Sequence, residues 1–267
     1  MILDSASSWS LLLSGVAVFA YLWPALRARH LGAVATRIWV GLAWLTHAAT
    51  LALSFIDTPV RFGFAPALSV TAWLIATSYA VESHVFPQLP ARWALSAMGA
   101  ATVVLAWMFP GKALPVTASV WLPVHLAVAI SCYGLFGVAV VHAWFMTRAE
   151  ARMRQGFDTH SGLPLLTLER LTYRFVAAGF VLLSATLVVG YWFGDLVYGS
   201  GHAWRWDHKT VFSMLSWLTF AILLLGRARF GWRGRRAVGV LYTGAVFLFL
   251  AYVGSRFVLE VILGRSA

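Results

Sequence analysis

The chain has 267 residues, of which 61% are hydrophobic and only 11% are charged, with a net charge of +11. Ordinary soluble domains carry roughly 25% charged residues, so this composition excludes a water-soluble fold. Uncharged apolar segments recur along the whole sequence, and most approach the length of about 20 residues that an α-helix needs to cross a membrane. Backbone amides in lipid need internal partners, which predicts helices, and the alternating pattern of a membrane β-barrel is not found.

Eight transmembrane helices are predicted, which together make an all-α, polytopic helical bundle. In chain order the predicted spans are Ala6 to Leu26, Arg37 to Ile56, Pro66 to Val81, Trp93 to Phe109, Ser119 to Thr147, Leu171 to Gly194, Thr210 to Gly226 and Ala237 to Leu263. The third span is the shortest of the eight. The first follows Asp4 and no basic residue, so we expect it to remain in the mature protein. No long linker interrupts the chain, which predicts one transmembrane domain, 1–267.

Basic residues alternate between the two sides of the predicted bundle. Fourteen arginines fall on one side, and six Lys or Arg residues fall on the other. Lys and Arg are retained in the cytoplasm, so we predict a multi-pass protein of the bacterial inner membrane with both termini extracytoplasmic. The net charge is then an orientation signal, and no nucleic-acid partner is expected.

Several classes of chemistry lack their motifs in this sequence. Cys132 is the only cysteine, so there is neither a disulfide nor a CxxCH site for covalent haem attachment. A phosphate-binding loop, an HExxH zinc site and a serine nucleophile elbow are also missing, and we predict that the protein is not an enzyme. All acidic residues lie at or beyond predicted helix ends, which disfavours a proton-coupled transporter.

Histidines within predicted spans are candidate ligands, because an imidazole in lipid must face a protein interior. His47 lies near the middle of the second span, where it either binds iron or makes an interhelical hydrogen bond. His125 lies in the outer part of the fifth span. His142 is 17 residues further on, about 25 Å away along a helix, so the two cannot share one iron. We place His142 at the inner interface.

The outer loop before the seventh span is rich in Gly, Trp and His. Trp204 and Trp206 are followed there by Asp207, His208 and Lys209. Two indole rings beside charged groups suit the face of a porphyrin and its propionates. The alternative is an aromatic belt at the membrane surface, with Asp207 capping the next helix.

The segment from Gly201 to Trp217 resembles the tryptophan-rich motif of the CcsA, CcmC and CcmF family of cytochrome c assembly proteins. The matching residues are Trp204, Trp206, Asp207, Lys209 and Trp217. His125 is similar to the family's outer haem ligand, and His47 to its membrane-embedded histidine. The resemblance covers about residues 37–267. It implies a protein that holds haem b non-covalently and has membrane lipid, haem and other membrane or extracytoplasmic assembly proteins as partners.

The chain also departs from the family pattern. Ser200, His208, Thr210 and Phe212 replace motif residues, and Leu225 stands where a second membrane histidine is expected. The C-terminal region contains no second outer histidine. With these departures the chain looks closest to the YpjD-type or HemX-like branch of the family.

His208 is the nearest replacement for the missing outer ligand, and we predict that it pairs with His125 across the iron. Arg256, near the outer end of the last span, is expected to bind a haem propionate in a charge-assisted pair. The alternative is an ion pair between Arg256 and Glu260, one helical turn later.

The first functional hypothesis is therefore a haem-handling membrane protein that binds or presents haem b at the outer Trp-rich loop. The alternatives are a haem-free membrane interaction or regulatory protein with the same fold, and a small-solute permease.

The orientation is testable by cysteine labelling of intact cells. An impermeant thiol reagent should modify Ser200→Cys in the outer loop and should not modify Gly231→Cys in the basic inner loop. Labelling of Gly231→Cys alone would contradict the orientation.

Overall fold

The computed structural model describes residues 8–27, 30–56, 60–85, 92–113, 121–155, 165–192, 194 and 206–263. Within these residues it contains eight apolar helices, seven of which are long and apolar enough to cross a membrane. The polytopic helical membrane fold predicted from the sequence is thereby confirmed. The extracytoplasmic position of the termini stays a prediction.

The helices follow the predicted spans closely. They are α1 (Ser8–Leu26), α2 (Ala33–Ile56), α3 (Phe64–Val85), α4 (Arg92–Met108), α5 (Trp121–Arg154), α6 (Leu165–Trp192), α7 (His208–Phe230) and α8 (Gly234–Phe249). The last helix continues through a π-helical segment Leu250–Gly254, a turn Ser255–Phe257 and a second π-helical segment Val258–Ile262. Two short strands, β1 (Arg61–Phe62) and β2 (Lys112–Ala113), pair antiparallel.

The expectation that the third span is the shortest is wrong. Helix α3 has 22 residues, whereas α4 has 17. The apolar run ends at Val81, but the helix continues through Glu82, whose carboxylate pairs with His142. A paired carboxylate can lie inside a helical segment, so the end of the apolar run did not mark the end of the helix.

The chain forms two compact units. The first contains α1, α2, α4 and α3 as far as Val81, and the second contains the last turn of α3 together with α5 to α8. That these make one transmembrane domain stays a prediction.

In the first unit, α1 approaches α4 closely at Gly99. A Cβ atom on Gly99 would lie 2.7 Å from the Cζ atom of Tyr21, so the tyrosine ring occupies the space that a side chain would need. Tyr21 is buried, and Ala17, Ala20 and Ala43 surround it in the same core. Small residues at helix contacts are typical of membrane proteins, because close packing replaces the hydrophobic effect between helices in lipid.

In the second unit, two phenylalanines and two glycines join four helices. The rings of Phe136 on α5 and Phe220 on α7 stack with centroids 3.8 Å apart and an interplanar angle of 6°. A Cβ on Gly179 of α6 would lie 3.1 Å from Phe136, and one on Gly244 of α8 would lie 2.8 Å from Phe220. The buried Ser216 hydroxyl also donates a hydrogen bond to the Gly244 carbonyl, at 2.9 Å. The stacked rings therefore fill the centre of this unit.

Three arginines stack on the tryptophan four positions before them: Arg27 on Trp23, Arg148 on Trp144, and Arg236 on Trp232. The guanidinium carbons lie 5.2, 4.4 and 4.1 Å from the ring centroids. All three arginines belong to the group assigned to the cytoplasmic side. An indole with a cation beside it is well suited to the membrane–water interface, so the contacts are consistent with that assignment.

Substitution of Gly244 by alanine should destabilise the second unit, because the added methyl group would overlap the Phe220 ring. Overpacking of this kind costs about 1 to 3 kcal/mol. Thermal unfolding of the purified protein in detergent measures the effect. Gly239→Ala is the matched control on the same helix, since nothing lies within 4 Å of its Cβ position. Equal melting temperatures for the two variants would contradict the packing.

Candidate functional site

The outer end of the second unit brings His125 and Lys209 together. His125 is half-buried on α5 and faces α6, where a Cβ on Gly190 would lie 4.0 Å from the imidazole Cε1 atom. The Lys209 ammonium group on α7 acts electrostatically on this imidazole, so the two residues are neighbours. They are 84 positions apart in the sequence, and only the packing of α5 with α7 places them together.

Asp207 sets the start of α7. Its backbone is extended, with φ −91° and ψ 171°, and its carboxylate accepts a hydrogen bond of 2.8 Å from the backbone N–H of Thr210. This is an N-cap, which satisfies an amide that the helix leaves without an internal partner. The capping role considered from the sequence is confirmed, and it fixes His208 and Lys209 in the first turn of the helix.

The other residues of the predicted outer site are exposed or undescribed. Trp206 is 72% exposed, and His208 is exposed at the first position of α7. Trp204 lies outside the described residues. The pairing of His125 with His208 across an iron therefore stays a prediction.

Tyr252, which the sequence did not single out, lies between two cations. The Lys209 ammonium nitrogen is 5.9 Å and the Arg256 guanidinium carbon 5.8 Å from the centre of its ring. The spacing of Tyr252 and Arg256, four residues apart in one helix, was visible in the sequence. The contact with Lys209 was not, because it depends on the packing of α7 against the last helix.

Arg256 also makes the ion pair weighed as an alternative. Its Nη1 atom lies 3.9 Å from Oε1 of Glu260, and the two side chains are 32% and 10% exposed. A single contact at this distance leaves most of the guanidinium donors for other acceptors. The ion pair therefore does not decide the predicted propionate role, which stays a prediction.

Tyr133 fixes the last helix against α5. Its hydroxyl donates a 2.5 Å hydrogen bond to the carbonyl of Leu248, immediately before the π-helical segment Leu250–Gly254. A π-helical turn disturbs the regular hydrogen-bond ladder, and such turns are frequent at functional sites. Here the widened turn carries Tyr252, so the turn and the tyrosine anchor together position the ring between the two cations.

His47 is fully buried in the first unit. Its Nδ1 atom lies 3.2 Å from the Tyr21 hydroxyl, and its Nε2 atom lies 2.8 Å from the Ser69 hydroxyl. The expected inward orientation is confirmed, and the interhelical hydrogen bonds considered as its alternative role are present. The haem role of His47 stays a prediction, and it requires one of these bonds to open.

His142 does not lie at the interface, as the sequence suggested. Its side chain is 3% exposed, its Nε2 atom lies 2.8 Å from the Glu82 carboxylate, and its ring contacts Phe175 edge-on. The misplacement followed from ending the fifth span at Thr147, whereas α5 continues to Arg154. The longer helix leaves His142 well inside the packed region, where it needs the carboxylate as a partner.

Comparison with known sequences gives one family. A sequence model described as "Cytochrome C assembly protein" matches residues 35–263. These residues include His47, His125 and the segment from Trp204 to Arg256.

Individual relatives fall into two groups. The "Inner membrane protein YpjD" of Escherichia coli strain K12 is 30% identical over 142 residues, which are 52% of each chain. A 28.8 kDa protein of Azospirillum brasilense is 34% identical over 148 residues, or 54% of each chain. The "Cytochrome c biogenesis protein CcsA" of Gloeobacter violaceus is 33% identical over 94 residues, which are 35% of this chain and 27% of the relative. The chain thus spans about half the length, or less, of the curated relatives it matches, and no solved structure matches it.

The His47 network gives a stability prediction. Tyr21→Phe and Ser69→Ala each remove one hydrogen bond to the imidazole, and each should lower the stability by about 0.6 to 2 kcal/mol, the range of such bonds in membranes. Thermal unfolding in detergent measures both variants. Ser54→Ala on α2 is the control, because this exposed hydroxyl bonds only to its own helix, at the Thr50 carbonyl. Two variants as stable as the control would show that the network contributes nothing.

Proposed function

Since this chain belongs to the cytochrome c assembly protein family, we propose that it is a haem-handling protein of the bacterial inner membrane. It holds haem b non-covalently at the outer end of its second unit and presents it to a partner. The names of two relatives support this proposal, since one is an inner membrane protein and the other a cytochrome c biogenesis protein. Haem is cargo here, so the protein is a binding and delivery device and not a turnover enzyme.

The observation that carries the proposal is the grouping of one imidazole with two cations. His125 neighbours Lys209, and Lys209 shares the Tyr252 ring with Arg256. These residues come from α5, α7 and the last helix, so the fold has assembled them from three separate parts of the chain.

The chemistry of these side chains fits haem. Iron takes an imidazole nitrogen as an axial ligand, which His125 supplies. The two propionates are carboxylates, and they pair well with the Lys209 ammonium and the Arg256 guanidinium groups. The porphyrin face is flat and apolar, and the exposed indole of Trp206 offers it a matching surface. Trp204, in the same segment, has the same proposed role.

His208 is the proposed second axial ligand. It directly precedes Lys209, so it lies at the same end of the unit as His125, and the Asp207 cap holds it in the first turn of α7. Its exposure means that the coordination can open, which suits a protein that must release haem.

His47 belongs to a separate proposed site in the first unit. Both ring nitrogens are engaged, by Tyr21 and Ser69, so iron coordination there would have to displace one hydroxyl. The Tyr21 and Ser69 hydroxyls can hold the imidazole in a fixed orientation until that happens.

A haem-free membrane interaction protein is the second candidate. Leu225 occupies the position of the family's second membrane histidine, and its side chain is 60% exposed on the surface of α7. A side chain in that orientation cannot complete an internal ligand pair with His47. This favours a branch that has kept the fold and given up one haem site.

An absorption spectrum of the purified protein, as isolated and after addition of haem, tests the proposal. We expect a Soret band with six-coordinate features. His125→Ala should abolish it, and His208→Ala should convert it to a five-coordinate spectrum. Lys209→Gln combined with Arg256→Gln should weaken haem binding by about ten-fold or more, as expected when two charge-assisted pairs are lost.

His30→Ala is the matched control, because His30 is exposed and belongs to the first unit. It should leave the spectrum unchanged. No Soret band in the wild type under either condition would favour the haem-free alternative. A wild-type spectrum in His208→Ala would refute the paired ligands while leaving His125 in place.

A further inference from the structure

The turn between α7 and α8 concentrates positive charge at the other end of the second unit. Five arginines lie within ten residues, at positions 227, 229, 233, 235 and 236, and no acidic residue lies among them. We propose that this turn is a binding site for the phosphate headgroup of an anionic phospholipid. The inference does not depend on the proposed haem function, which concerns the opposite end of the unit.

Two glycines make the turn compact. Gly231 ends α7 with φ +62°, and Gly234 begins α8 with φ +59°, so both adopt the left-handed conformation that favours glycine. Only Gly231, Trp232 and Arg233 separate the helices. The short connection holds Arg227, at the end of one helix, close to Arg233, just before the next.

Glu169 on α6 holds both of these arginines. Its Oε1 atom lies 2.5 Å from Arg227 Nη1 and 3.1 Å from Arg233 Nε. Among the described residues, Glu169 is the only carboxylate that pairs with an arginine of this turn. One negative charge therefore faces two cations, and the group remains positive before the other three arginines are counted.

Aromatic contacts hold the cations in fixed positions. Arg227 lies over the Tyr173 ring at 4.7 Å, and Arg236 lies over the Trp232 ring at 4.1 Å. The Tyr173 hydroxyl donates a 2.8 Å hydrogen bond to the Trp232 carbonyl. The Trp232 indole in turn covers Gly226, where a Cβ would lie 2.4 Å from the ring. A preformed set of guanidinium groups loses little side-chain entropy when it binds an anion.

The surroundings indicate a lipid as the source of the phosphate. Phe230, Leu225 and Leu166 lie beside this cluster on α7 and α6 and are 76%, 60% and 69% exposed. Acyl chains would cover these side chains, while the phosphate reaches the guanidinium groups above them. The cavity beneath Glu169 and Tyr173 measures about 20 Å³, which is room for one water, so the chains must lie along the outer helix surfaces.

Anionic headgroups are favoured over zwitterionic ones for an electrostatic reason. Basic clusters next to the ends of membrane helices attract anionic lipids, and guanidinium groups bind phosphate oxygens in bidentate fashion. Arg229 and Arg235 are exposed, so they can reach a headgroup without breaking the Glu169 pairs. They are the residues expected to contribute most to lipid selectivity.

Native mass spectrometry of the full chain, released from detergent with either phosphatidylglycerol or phosphatidylcholine, tests the proposal. The wild type should retain phosphatidylglycerol preferentially. Arg229→Gln, Arg235→Gln and Arg236→Gln combined should weaken that retention by about ten-fold or more, given the usual contribution of each basic residue. The matched control combines Arg148→Gln, Arg152→Gln and Arg154→Gln at the end of α5, which removes equal charge from the same predicted side. It should change retention much less.

Two further arms keep the result decisive. The single variants Arg229→Gln and Arg235→Gln remove exposed side chains, so each should fold normally and show a partial loss, even if the triple variant is unstable. Competition with inorganic phosphate separates a lipid site from a site for free phosphate. Equal losses in both triple variants, equal retention of the two lipids, or complete displacement by inorganic phosphate would each overturn the proposal.

Discussion

The stack of Phe136 on Phe220, enclosed by Gly179 and Gly244, is the contact on which the second unit depends. Helices in lipid gain little from burying apolar side chains against one another, so they associate where their surfaces fit closely. Two flat rings 3.8 Å apart, with a glycine opposite each, provide that fit for four helices at once. The Ser216 hydrogen bond to the Gly244 carbonyl adds a polar connection at the same level.

The two ends of this unit follow from its centre, and both pair cations with aromatic rings. At one end Lys209 and Arg256 share Tyr252 beside His125, and at the other Arg227 and Arg236 cover Tyr173 and Trp232. The first end combines an imidazole with its cations, whereas the second combines its cations with exposed apolar side chains. These differences lead to the separate proposals of a haem and a phospholipid as ligands.

The buried histidines show how the membrane environment restricts polar side chains. His47 uses both ring nitrogens in hydrogen bonds to hydroxyls, and His142 pairs with the Glu82 carboxylate. A buried imidazole without a partner would be costly, so each of these residues contributes to helix packing whatever else it does. His125, which is half-buried, is under a weaker constraint of this kind, and this agrees with a role at the outer surface.

The sequence by itself determined the class of fold, the spans and the family, because apolar length, lipid chemistry and the Trp-rich motif are local properties of the chain. It also identified the Asp207 cap and the i,i+4 partners of Arg256. It could not give the true end of α3 or α5, the burial of His142, or the meeting of Lys209 with His125 and Tyr252. Only the tertiary structure decided these, because each depends on a partner from a distant helix. Such partners let charged residues continue a helix beyond its apolar run and bring side chains more than 40 positions apart into one site.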